Sequence, residues 1–153
     1  MELSEVTRIN RALNKMSKLY REAKARKLAD LGLHPGQDVL LWVLASADEG
    51  MTVSELAAQL GIESPTATRS LARMENADLF RREHVPHDRR QVRIVVTDHG
   101  RELIEAIETV WAELAADALG PVPTGQRQLV LSVLEEANDR LLKLVDKSVL
   151  ADG

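Results

Sequence analysis

Three observations predict a mainly α fold with one small β-hairpin: two short helix signals joined by a glycine turn, two strand-like runs meeting at an arginine-rich bend, and long amphipathic stripes on either side. With 153 residues, 44% of them apolar, the chain holds one domain's worth of core-forming material. No run approaches the roughly 20 apolar residues that a membrane span requires.

The first short helix is signalled by Thr52-Val53-Ser54-Glu55, a capping box in which the Thr52 hydroxyl accepts from the Glu55 amide and the Glu55 carboxylate reaches back. Leu56, Ala57 and Leu60 form its apolar stripe, and Gly61 supplies the left-handed exit. Ser64 then reads as the N-cap of a second helix, with Pro65 at its first position, where a missing amide hydrogen costs nothing. Ala67, Leu71, Ala72 and Met74 are assigned to its inner face, leaving Thr66, Thr68, Arg69 and Arg73 outside. Short hydroxyls and arginine suit a helix laid in a major groove, where arginine binds guanine edges, and helix N-terminal amides favour phosphate.

Residues 79–85 and 91–96 read as two strands, joined by Pro86-His87-Asp88-Arg89-Arg90. The arginines at the tip suit a narrow minor groove. Thr97 caps the next helix, with Gly100 in its first turn. Helix, turn, helix and hairpin in this order make a winged helix-turn-helix, flanked here by long helices.

Residues 52–103 resemble the DNA-binding core of the MarR family of bacterial transcription regulators. The resemblance rests on Leu56-Ala57-x-x-Leu60-Gly61-Ile62, on Pro65-Thr66-x-x-Arg69-x-Leu71-x-x-Met74-Glu75, and on the wing pattern Asp88, Arg90, Ile94 to Val96, Thr97, Gly100 and Leu103. One departure is Asn76-Ala77-Asp78, which lacks the glycine usual after the second helix. The resemblance implies a homodimeric regulator, expected to be a repressor of a pseudo-palindromic operator, whose DNA affinity a small molecule lowers. It assigns base contact to Arg69; around it, Pro65, Thr66 and Thr68 are expected to touch sugar, phosphate or a thymine methyl, Arg73 one turn later to favour phosphate, and Ser64 at the cap to belong to the same DNA-binding set. In the wing it assigns minor-groove insertion to Arg90, with Asp88 orienting it and Arg89 on the backbone.

The net charge of -4 argues against a DNA binder until its distribution is read. Residues 64–97 carry seven arginines against four acids, a net +3, while residues 98–153 carry five cations against eleven acids, a net -6. Residues 1–31 are basic again, eight cations against four acids. This partition lets one surface attract phosphate while the rest limits indiscriminate adhesion. The chain has no cysteine, which removes disulfides, thiolate catalysis and the cysteine-based peroxide switch of some relatives. Its start, Met1-Glu2-Leu3-Ser4, lacks the basic head and apolar core of a secretion signal, so a cytoplasmic protein is expected.

Val6, Ile9, Leu13, Met16, Tyr20 and Ala23 recur at helical spacing and predict a long first helix that ends near Gly32. Residues 39–44 are apolar nearly all round and are expected to be buried, Trp42 included. Leu103, Ile107, Val110, Trp111 and Leu114 make a third stripe, and residues 129–145 a fourth after the Gly120-Pro121-Val122-Pro123 break. There is no internal repeat, low-complexity segment or flexible linker. We expect one domain over residues 1–153, with 1–33 and 101–153 dimerising and 34–100 forming the reading lobe. The alternative is a monomer whose long helices bury one another.

In relatives of this kind, effectors sit between the dimer helices and the reading head, which here implies Met16, Tyr20, His34, Trp42, Ile107 and Trp111. An apolar cleft with a few polar groups suits a lipophilic or aromatic acid, although each of these residues also reads as plain core. A different class of reading makes the wing a metal sensor through His84, His87 and Asp88, with His99 as a further candidate, but strand alternation separates the first two. A third uses the winged helix for protein contacts alone, for which the exposed arginines are an odd choice. No nucleophile motif, phosphate-cradling glycine loop or carboxylate pair suggests an enzyme, and no cofactor or resident metal is expected.

Overall fold

The computed structural model describes residues 1–151, and the side chains of residues 1–145; the last two residues of the expected 101–153 segment lie outside it. Helices α1 (Leu3–Ala29), α2 (Gln37–Ala45), α3 (Val53–Leu60) and α4 (Ser64–Met74) are followed by a 3-10 turn at Glu75–Ala77. Strands β1 (Phe80–Val85) and β2 (Asp88–Val96) form an antiparallel hairpin, and α5 (Asp98–Leu119) and α6 (Thr124–Ala151) complete the chain. Two compact units result, Met1–Leu114 and Ala115–Gly153. Among the described residues, no helix is long and apolar enough to cross a membrane.

The core of the first unit is built from Leu28 of α1, Leu40, Leu41 and Leu44 of α2, Leu56 of α3, Leu71 of α4, Ile94 of β2 and Ile107 of α5, all essentially inaccessible. Each such side chain contributes about 1.5–3 kcal/mol on leaving water. Leu28 is the buried residue of α1, so this helix lays only its last turns on the core. Its stripe of Val6, Ile9, Leu13, Met16 and Leu19 stays open to solvent.

One charged group is fully buried within that core. The Asp38 carboxylate, near the start of α2, accepts from Lys24 Nζ of α1 at 2.7 Å, from Trp111 Nε1 of α5 at 2.8 Å and from the Gly36 amide at 2.9 Å. Three helices thus converge on one anion whose lone pairs are satisfied. That is the condition under which a buried carboxylate is tolerated.

The hairpin is buried at its base and exposed at its tip. Ile94, Val95 and Val96 are buried in succession, so both faces of β2 are covered there, whereas the tip, including residues 86–91, is exposed. A bridge that sequence reading did not anticipate joins Met51 to Ile94, through amide-to-carbonyl bonds of 3.0 and 2.7 Å. Gly50 makes this possible: its φ is +76°, and a Cβ there would stand 2.4 Å from the Ile94 carbonyl oxygen. Gly100 allows a similar approach, since a Cβ would meet the Leu79 carbonyl oxygen at 2.2 Å.

Several local expectations shift. The cap of α4 is Glu63, without a side-chain bond, and Ser64 is its first helical residue. Ala72 is exposed, not inward, because it falls on the far side of the helix from Leu71 and Met74. Trp42 keeps 41% of its surface open although its helix neighbours are buried. The hairpin turn is only Pro86-His87, so Asp88, Arg89 and Arg90 begin β2 instead of forming a loop. The absent glycine after α4 is replaced by Asp78 in the left-handed conformation, φ 55°. Aspartate tolerates that region better than most residues.

Replacing Lys24 leaves Asp38 without its counter-charge. Lys24→Met is expected to lower the unfolding free energy in urea by about 3–5 kcal/mol. Arg26→Met, which removes an exposed pair with Glu22 one turn away, should cost about 0.5 kcal/mol or less.

Candidate nucleic-acid interface

The helix-turn-helix is set by local chemistry. Thr52 Oγ1 accepts from the Glu55 amide at 3.1 Å, and Glu55 Oε2 accepts from the Thr52 amide at 3.0 Å, so both halves of the capping box form. Gly61 then adopts φ +64° and turns the chain toward α4. Ala67, Leu71 and Met74 bury one face of α4. Ser64, Pro65, Thr66, Thr68, Arg69 and Arg73 are all exposed.

Two details modify what the start of α4 can offer a phosphate. Pro65 has no amide hydrogen, and the Thr66 amide already donates to the Glu63 carbonyl at 3.0 Å, so few free donors remain at this terminus. The Thr68 hydroxyl donates to the Ser64 carbonyl at 3.0 Å. Its outward offering is therefore a methyl group and oxygen lone pairs.

The arginines divide into two groups. Arg93 donates to the Gly50 carbonyl at 2.8 Å and lies 3.8 Å from Glu55, tying β2 to the segment before α3. Arg82 holds Glu75 at 3.1 Å and Arg81 holds Glu83 at 2.6 Å. Arg93 and Arg82 brace the hairpin against its scaffold, and Arg81 pairs along β1 itself. Among the described residues, no ion pair engages the guanidinium groups of Arg69, Arg73, Arg89 or Arg90, and all four are exposed. The Glu75 carboxylate, just past the end of α4, is taken by Arg82.

Asp88 Oδ1 accepts from the Arg90 main-chain amide at 3.0 Å. It thereby fixes the backbone at the strand entrance and leaves the Arg90 side chain unclaimed. The register irregularity between His84 and Val85 lies directly across from this point. Among the described residues, no three histidine, aspartate or glutamate side chains come together in a metal-binding group. His99 sits on α5 near Glu102, at 3.8 Å.

Of the residues expected to line an effector cleft, Tyr20, Trp42 and Trp111 come together. Trp42 and Trp111 have ring centres 5.8 Å apart, and Lys24 Nζ lies over the rings of both Tyr20 and Trp111. Ile107 is wholly inside the core, Met16 is exposed on α1, and His34 is exposed in the connection before α2. Sequence reading missed Lys24 and Asp38 here. The available signal was an acid placed in the first turn of an otherwise apolar helix, with a lysine at helical spacing from Tyr20.

Residues 27–91 match the sequence model of the MarR family. A curated relative, the uncharacterized HTH-type transcriptional regulator YdgJ of Bacillus subtilis (strain 168), is 29% identical over 110 residues. That alignment covers 72% of this chain and 66% of the relative, so the chain spans just under two thirds of its length. Among solved structures, the transcriptional repressor CouR, bound to a 23-mer DNA duplex, superimposes with a TM-score of 0.77 at 26% identity, covering 90% of this chain and 98% of that one. A MarR transcriptional regulator from Methanosarcina mazei Go1 has the same fold, with a TM-score of 0.76 at 22% identity over 89% of this chain and 97% of that one. With the helix-turn-helix, the wing and the flanking helices in the same order, the chain has the winged helix-turn-helix fold of the MarR-family transcription regulators, and residues 27–91 carry that family's sequence pattern.

Proposed function

We propose that this chain is a homodimeric, ligand-responsive repressor that binds a pseudo-palindromic operator in the cytoplasm, acting by binding and not by catalysis. The observation that carries this reading is the division of the arginines. At Arg69 and Arg73 on α4 and at Arg89 and Arg90 in the wing, the guanidinium groups are exposed and, among the described residues, without an ion pair. Unpaired arginine on a helix face and at a strand entrance is what phosphate and base-edge recognition requires. The DNA-bound state of the similar CouR supports the same assignment.

In this reading, residues 34–100 form the reading lobe, and residues 1–33 and 101–153 dimerise. Arg69 reads base edges in the major groove. The Thr68 methyl contacts a thymine methyl, Ser64, Pro65 and Thr66 lie against sugar and phosphate, and Arg73 binds phosphate one turn on. Arg90 enters the minor groove from a backbone held by Asp88, and Arg89 grips the adjacent strand. Two such heads read half-sites about one helical turn apart.

Dimerisation is supported by apolar surface that the single chain leaves in water. On α1, Val6, Ile9, Leu13, Met16 and Leu19 are each 41–52% exposed. On α6, taken by itself, Leu129, Val133, Leu141 and Leu144 are 56–65% exposed. Helix faces of this kind are stable when a second copy covers them.

Arg90→Ala is expected to weaken operator binding by about 1–3 kcal/mol in fluorescence anisotropy at physiological salt, with the circular dichroism spectrum unchanged. An unaltered affinity removes the wing from the mechanism. In sedimentation equilibrium at micromolar concentration the parent chain should have twice the monomer mass, and Leu13→Glu should raise the dimer dissociation constant by about tenfold or more. A parent chain that sediments as a monomer on and off DNA refutes the dimeric arrangement.

A further inference from the structure

The aromatic group beside the core has an occupant of its own. Lys24 Nζ lies 5.6 Å from the centre of the Tyr20 ring and 5.8 Å from that of Trp111, while its charge is met by Asp38 at 2.7 Å. Trp42 leans on Trp111 at an interplanar angle of 55°, and its Nε1 donates to Glu108 at 3.0 Å. Aromatic faces around a positive charge, backed by a carboxylate, form a cation cage. Here the caged cation is the chain's own lysine.

We infer that this cluster is a binding site for a hydrophobic organic cation, with Lys24 as the internal ammonium that fills it until a ligand exchanges for it. Three features favour a cation over the acid that the sequence suggests. The first is charge: Asp38 and Glu108 supply two carboxylates against the single ammonium of Lys24. The second is anchoring. Asp38 is inaccessible and held by three donors, whereas Lys24 sits on a flexible stem with 13% of its side chain exposed, so the lysine is the partner that an outside ion can replace. An incoming acid would have to dislodge the anchored group.

The third feature is access. Tyr20 and Trp42 keep 46% and 41% of their surfaces in solvent, at the margin of the cluster where a ligand arrives. A quaternary ammonium with an aromatic substituent matches this arrangement, its charge replacing that of Lys24 and its ring packing on Trp42. Exchange detaches α1 from the anion carried by α2. The link to the reading head rests on the ligand-responsive function proposed above; the binding itself does not.

The two tryptophans of the chain are both in this cluster, so intrinsic fluorescence reports on it directly. The full-length protein, without DNA, is titrated with benzyltrimethylammonium chloride and in parallel with sodium benzoate and with sodium chloride at equal ionic strength. A saturable change with the ammonium salt is expected, at a midpoint about tenfold or more below any benzoate response. Trp42→Ala, read through Trp111, should raise that midpoint by roughly tenfold. In Lys24→Met the ammonium salt should raise the melting temperature by more than in the parent chain, because it supplies the missing counter-charge. Should that variant fail to fold, Trp42→Ala carries the test alone. A benzoate response equal to or stronger than the ammonium response, or a midpoint unmoved by Trp42→Ala, overturns the assignment. Because no DNA is present, failure here leaves operator binding standing, and failure of operator binding leaves this titration standing.

Discussion

A carboxylate withdrawn from water sets the geometry of the first unit. Asp38 cannot stay buried unless its charge and lone pairs are met, and the groups that meet them come from α1, from the Gly36 cap of its own helix and from α5. A buried ion pair of this sort adds little net stability, since desolvation offsets most of the Coulomb gain, but it penalises every arrangement in which the partners separate. The crossing of the long first helix over the rest is therefore specified by chemistry, where apolar contacts alone would tolerate sliding. From α2 the constraint passes onward through the packed leucines to α3 and, by way of the Met51–Ile94 bridge, to the base of the wing.

The wing uses the same residue type for two purposes. Arg82 and Arg93 are spent on a carboxylate and a carbonyl that fix the hairpin to its scaffold, Arg93 joining the wing to the turn at Gly50, and Arg81 pairs with Glu83 along β1. Arg89 and Arg90 lie farther along, and among the described residues no ion pair takes their guanidinium groups. A rigid mount with free charges at its end loses little conformational entropy on meeting DNA, which is the advantage of preorganisation. The acidic residues, concentrated in 98–153, keep the remainder of the surface from competing for polyanions.

Much of this was legible in the residues because it is local. The capping box at Thr52 and Glu55, the left-handed Gly61, the inward Leu71 and Met74 and the Thr97 cap, whose hydroxyl accepts from the Gly100 amide at 3.0 Å, each depend on neighbours within a turn. What sequence reading missed depends on partners far along the chain. Asp38 finds Trp111 across 73 residues, and Arg93 finds Gly50 across 43. The shorter hairpin turn and the entry of Asp88 to Arg90 into β2 also escaped, because a register irregularity at His84 and Val85 is invisible to alternation alone. The sequence implies Tyr20, Trp42 and Trp111 as parts of one cleft, but Lys24, which lies over two of their rings, reads only as part of a basic segment.

The central claim is that arginines left unpaired on α4 and at the wing entrance are there to displace counterions from duplex DNA. Its most direct test is the slope of log K against log salt for operator binding by the parent chain and by a chain with Arg73→Ala and Arg89→Ala together. The account predicts a steep slope, on the order of -6 or steeper for a dimer, that falls by about 2–4 in the variant. A shallow slope, or one identical in the two proteins, contradicts it.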